Sequence, residues 1–175
     1  QILLLYHQQH YLQNLNLTIS LVKLLHFYFY HILHKYNMKI KKFQLDADLQ
    51  NLEEYLRNQY LENKNMTSWL PERLHDLIYR MGAQETDGGR KKSVDYIFLC
   101  EEDAKIIACI LPDGDSIYIS IKNGYEQLFS SLLAYSEENC LPLFSREEDG
   151  SIDFLVVTND SLTYRQEILM GLGYK

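Results

Sequence analysis

The stretch SIYISIKNGYEQLFSSLLAYSEEN, Ser116 to Asn139, changes its period in the middle. Ile117, Ile119 and Ile121 alternate with Ser116, Tyr118 and Ser120, the two-residue repeat of a strand. From Tyr125 the apolar positions are Tyr125, Leu128, Phe129, Leu132, Leu133 and Tyr135, which is the stripe of a helix with one buried face. Only Lys122-Asn123-Gly124 stands between them. A strand feeding a helix through so short a turn leaves backbone N–H groups and the positive end of the helix dipole at the strand's carboxyl end, where α/β proteins hold anionic ligands.

Working downstream, Arg146–Ser151 is a polar connection and DFLVVT, Asp153–Thr158, is a short apolar run suited to a strand covered on both faces. Asn159, Asp160 or Ser161 is placed to cap a last helix with Leu162, Ile168, Leu169 and Leu172 inward and Gly173 as its stop. Upstream lie two further short strands, Tyr96–Cys100 and Lys105–Leu111. The turns at Glu101–Ala104 and Pro112–Asp115 join them, and the second carries the Asp-Gly pair that hairpins favour. Ala83–Ser93 reads as a solvated basic loop; its Gly88-Gly89 lacks the Lys-Ser/Thr and trailing helix of a P-loop. Before it, Thr67 or Ser68 and Pro71 open a helix with Leu70, Leu74, Leu77, Ile78 and Met81 inward and His75 on the solvent side. Asp46 is placed to cap an earlier helix, with Leu49, Leu52, Leu56 and Tyr60 inward, running to about Lys64. MKIKKFQL, Met38–Leu45, is an edge strand whose lysines discourage further pairing.

The predicted order from Met38 is strand, two helices, three-strand meander, helix, strand, helix. This defines an α/β (α+β) fold with a mixed, mostly antiparallel sheet and one parallel strand–helix–strand crossover, right-handed by rule. The crevice falls between Ser116–Ile121 and Asp153–Thr158.

Composition narrows the functional classes. The chain has 175 residues, 46% of them hydrophobic, as expected of one globular domain with a real core. Its net charge of −7 argues against a nucleic-acid backbone as partner. Cys100, Cys109 and Cys140 lie in or beside apolar runs at spacings that match no metal or redox motif, and read as small core residues in a reducing, cytoplasmic setting. Residues 1–37 differ from the rest: they hold no Asp or Glu, only Lys23 and Lys35 as strong cations, and five of the six histidines. This leader is read as upstream sequence appended to a domain that begins at Met38. The alternative is an amphipathic helix with Leu17, Leu21, Leu24, Leu25, Tyr28 and Ile32 on one face. Lys23, His26 and His31 argue against a membrane span, and His31 and His34 lack the carboxylate or cysteine that would make them a metal site.

The meander EEDAKIIACILPDGDSIYISI, the helix YEQLFSSLLAYSEEN, the strand DFLVVTND and the terminal RQEILMGLGYK together resemble the GNAT superfamily of acyl-CoA-dependent N-acyltransferases. The resemblance runs from about Met38 to Lys175 and is nearest to the amino-terminal halves of two-domain members. It implies that acetyl-CoA lies in the crevice as co-substrate, with its pantetheine along the backbone of Ile119 and Ile121 and Asn159 nearby, and that a small-molecule or peptide amine attacks the thioester. Several positions depart from the family pattern. Gln127 and Phe129 stand where the pyrophosphate turn has glycines, Leu169 stands at the place of the tyrosine that protonates the thiolate, and Tyr164 should face elsewhere. Two further strands would follow Lys175 in the family, and a second GNAT domain after them. The catalytic base is not assignable. Two functions are expected in competition: an acyltransferase or its first domain, binding acetyl-CoA weakly or not at all as this chain alone, or a non-catalytic GNAT-like domain that shapes substrate or interactions for a catalytic half elsewhere.

Overall fold

A computed structural model describes residues 3–9, 38–63, 69–81, 93–113, 116–144, 148, 152–159 and 162–174. The strands are β1 (Leu3–Gln9), β2 (Met38–Lys42), β3 (Phe98–Glu102), β4 (Lys105–Asp113), β5 (Ser116–Ile121) and β6 (Asp153–Asn159); the helices are α1 (Leu45–Asn63), α2 (Pro71–His75), α3 (Phe129–Cys140) and α4 (Thr163–Gly171). They build one six-stranded sheet in the order β1-β6-β5-β4-β3-β2. Four of its five pairings are antiparallel, and β5 with β6 is the parallel one. The predicted mixed sheet and its crossover are therefore present, with β2 at the edge where its lysines were expected.

Each face of the sheet carries its own core. Ile117, Ile119 and Ile121 project from β5 onto one side, where Leu128, Phe129, Leu132 and Leu133 of the turn and α3, Phe154 and Val156 of β6, and Leu169 of α4 close around them. On the other side Leu52, Tyr55 and Leu56 of α1, with Trp69, Leu74 and Leu77, cover Leu99, Cys109 and Leu111. The alternation of β5 thus selects the α3–α4 layer, and the facing residues of β3 and β4 select the α1–α2 layer. A register shift between Cys100 and Glu101 in the β3–β4 pairing leaves Ile107 as an extra residue on β4. The Ile107 carbonyl accepts from Lys122 N–H at 2.8 Å, and the Tyr55 hydroxyl reaches the same carbonyl at 3.4 Å and Ser120 Oγ at 3.2 Å. The tight β3–β4 turn has Asp103 and Ala104 at φ 49° and 60°, both left-handed as a two-residue hairpin of this twist requires.

Several local expectations are corrected. Asp46 does not cap α1, which opens from Gln44; Asp48, 3% exposed, accepts the Gln44 N–H at 2.9 Å and pairs with Lys41 at 2.8 Å, because its carboxylate reaches back from inside the first turn. Leu70 sits outside α2, exposed, while Trp69 before it is buried and stacks on Tyr118 at 6.3 Å. The helix after β5 begins as a 3-10 turn at Glu126–Leu128. Asn159 belongs to β6, and α4 opens at Leu162 without a side-chain cap. Of the predicted inward residues of α4 only Leu169 is fully buried, and Arg165 is buried beside it. The caps Thr67, Ser68, Asp160 and Ser161, the basic loop at 83–92 and the proposed leader helix at 17–32 lie outside the described residues. In the stretch read as a leader, Leu3–Gln9 pairs antiparallel with β6 from Leu3↔Asn159 to Gln9↔Asp153. An apolar LLLYHQQ segment meets the otherwise open edge of β6 and satisfies its backbone groups.

Cys100, Cys109 and Cys140 are buried and unpaired. Burial pushes the Cys100 and Cys140 thiols up to about 12 and that of Cys109 further, so none is poised as a thiolate. Among the described residues no helix is long and apolar enough to cross a membrane.

Leu132 is 1% exposed beneath α3, and Leu132→Ala is expected to cost about 2–5 kcal/mol in urea unfolding. A second prediction concerns Tyr174, which ties the end of the chain to α3 by donating to Glu137 Oε1 at 2.6 Å. Burial raises the Glu137 carboxyl above its ordinary range, against the pull of the Tyr174 bond. A carboxyl raised in the folded state gives most stability below its unfolded value of about 4.3, and that stability falls as pH climbs through the raised folded value. Glu137→Gln should remove this fall while its amide oxygen still accepts from Tyr174. Parallel urea-midpoint profiles against pH for the two proteins would sink the idea.

Candidate functional site

The parallel ladder between β5 and β6 is short. It pairs Ser116↔Leu155, Ile117↔Val156 and Tyr118↔Val157 and then stops, although β5 continues to Ile121 and β6 to Asn159. Continuing the same register would set Thr158 opposite Ile119 and Asn159 opposite Ser120. Lys122 N–H turns toward β4, so by alternation along the strand the backbone groups of Ile119 and Ile121 turn toward β6. The sequence sets its crevice between these same two strands.

Of the residues assigned to it, Ile119 and Ile121 sit at its wall with their side chains in the core, 0% and 7% exposed. Asn159 closes β6 opposite Leu3 of β1. The Ile119 carbonyl, which a continued ladder would give to β6, instead accepts from Arg165 Nη1 at 2.8 Å. Arg165 is 6% exposed; its Nε donates to the Tyr164 hydroxyl at 2.9 Å, and its guanidinium lies 4.8 Å from the Phe129 ring centroid and 5.7 Å from that of Tyr164. Among the described residues no carboxylate pairs with it. Thr158, 2% exposed, has its Oγ1 without a hydrogen-bond partner.

At the far end of β5 the turn is held by its own acid. Gly124, at φ +90°, donates its N–H to Glu126 Oε1 at 2.9 Å. A side-chain carboxylate therefore takes the donor that an incoming phosphate would seek. Gln127 is exposed at this turn, and Phe129 is buried in the core. Tyr125 donates to Glu102 Oε2 at 2.5 Å and binds the turn to β3. Leu169 is buried in the core. The Tyr164 hydroxyl accepts from Arg165 Nε, and its ring meets Phe129 edge-on at 6.3 Å.

Sequence reasoning missed Arg165 and Thr158. Arg165 lies on the buried side of α4, three residues before Ile168 and four before Leu169. A cation at i relative to apolar i+3 and i+4 positions is the signal that marks it. Elsewhere, His75 is half exposed against Glu53, with Tyr79 edge-on at 5.7 Å, away from the gap and in keeping with its reading as a surface residue. Among the described residues no cluster of three His, Cys, Asp or Glu could hold a metal. No protein-family model and no curated protein matches the chain.

A buried cation facing an apolar wall without a carboxylate costs solvation that a hydrophobic side chain of similar length does not. Arg165→Met is therefore expected to leave the fold intact and to raise its stability by about 1–2 kcal/mol. Urea midpoints decide this, and a loss of more than about 2 kcal/mol would make Arg165 a structural tie instead.

Proposed function

We propose that this chain is an acyl-CoA-dependent N-acyltransferase domain of the GNAT type, taking acetyl-CoA in the β5–β6 gap and an amine as acceptor. The observation that carries the reading is the parallel pair that separates after Tyr118↔Val157 while both strands run on, with a turn and helix directly after β5. Such a separation is where strand backbone can meet an extended ligand, and a turn leading into a helix directly after the strand is suited to a phosphate. Ile119 and Ile121 would line the pantetheine, and Asn159 would stand beside it. The acceptor amine attacks the thioester carbonyl and the thiolate leaves with a proton.

A second reading is favoured by two contacts: Arg165 on the Ile119 carbonyl and Glu126 on the Gly124 N–H. Both occupy groups that acyl-CoA would use. In this reading the domain is non-catalytic and serves a catalytic half elsewhere, such as a second GNAT domain.

Titration calorimetry separates the two. Acetyl-CoA is expected to bind the chain weakly, because the like charge of Glu126 opposes the pyrophosphate. Glu126→Ala should strengthen binding about tenfold, by about 1.4 kcal/mol. Absence of binding to both proteins at millimolar acetyl-CoA would remove the acyltransferase reading and leave the second. Thiol release with an amine acceptor would remove the second.

A further inference from the structure

Beyond Tyr118↔Val157 two buried polar side chains meet the gap with capacity that the described residues do not use. Arg165 spends one N–H of Nη1 on Ile119 and its Nε–H on Tyr164, so three of its five N–H groups have no acceptor among the described residues. Thr158 Oγ1 has no partner at 2% exposure. The two lie at one level of the fold. Thr158 shares a strand face with Phe154 and Val156, which pack in the α3–α4 layer, and it follows Val157 of the last pair as Ile119, whose carbonyl holds Arg165, follows Tyr118.

A largely buried guanidinium is ordinarily matched by an anion, and the Phe129 and Tyr164 rings supply only the weaker attraction of their faces. We propose that the β5–β6 gap binds a carboxylate-bearing small molecule, its carboxylate accepting from Nη1 and Nη2 of Arg165 and from the Thr158 hydroxyl. A carboxylate fits better than a phosphate. It is planar like the guanidinium fork and carries a single charge to balance a single cation, whereas a phosphate brings nearly two. The inference goes beyond the acyl-CoA reading and uses neither the turn nor the cofactor.

The test uses the whole chain with arginine side chains labelled with 15N, the Arg165 Nε–H signal being assigned by its loss in Arg165→Met. Sodium acetate is titrated, and sodium phosphate separately, with chloride holding ionic strength constant and no CoA present. The expected result is a saturable shift of the Arg165 signal with acetate at roughly millimolar half-saturation, weakened about tenfold in Thr158→Val. Acetate should also raise the melting temperature of the unaltered chain and not that of Arg165→Met. The inference is overturned by a non-saturating response to acetate, by saturation with phosphate alone, or by equal acetate affinity in the unaltered chain and Thr158→Val. Because acyl-CoA is absent, failure here leaves the acyltransferase reading standing, and failure of acetyl-CoA to bind leaves this one standing.

Discussion

Arg165 Nη1 donates to the Ile119 carbonyl at 2.8 Å, and the geometry of the gap follows from that bond. A parallel strand offers its backbone groups to a neighbour at every second residue, and at Ile119 the guanidinium stands where the next bond to β6 would form. The ladder between β5 and β6 ends at Tyr118↔Val157, while β5 stays paired with β4 and β6 with β1. The side chain that does this comes from the helix directly after β6, so strand, separation and wedge belong to one stretch of chain. Phe129, the first residue of α3, completes the arrangement by giving the guanidinium an aromatic face.

The second constraint sits just past the carboxyl end of β5. Gly124 has a backbone conformation that a side chain would strain, and the N–H it exposes is taken by Glu126 two residues on. The turn thus has the form of an anion cradle holding an anion of its own chain. Between these two contacts, one made by a cation and one by a carboxylate, the backbone that an extended ligand would use is occupied at both ends. An external ligand has to displace them or to fit between them.

The period change within Ser116–Asn139 made the strand, the turn and the helix legible, and the apolar runs on either side made the order and the parallel pairing legible. Periodicity works where burial alone decides a position, as at Ile117, Leu132 or Leu169. It does not work where a polar group is buried by what it touches. Arg165 falls in the polar class of any such pattern, and only the position of a carbonyl some 46 residues earlier explains its burial. Asp48 is a similar case: its reach back to Gln44 and Lys41 depends on how β2 enters α1. Trp69 precedes the helix whose stripe was being counted. The candidate site was legible as a place and not as a set of contacts, because the contacts join side chains to backbone across the sheet.

The pairing of β1 with β6 has a consequence for the order in which the molecule assembles. It joins Leu3 to Asn159, so β1 must wait for β6. Closing so long a loop gains nothing until β6 is already laid against β5, and that in turn needs α3 to have crossed over the sheet. During synthesis β2, β3, β4 and β5 can pair with one another as they emerge, while Leu3–Gln9 has no partner until β6 follows. β1 therefore stays unpaired until β6 is in place, and the edge of β6 is the place where another copy's β1 would compete with its own.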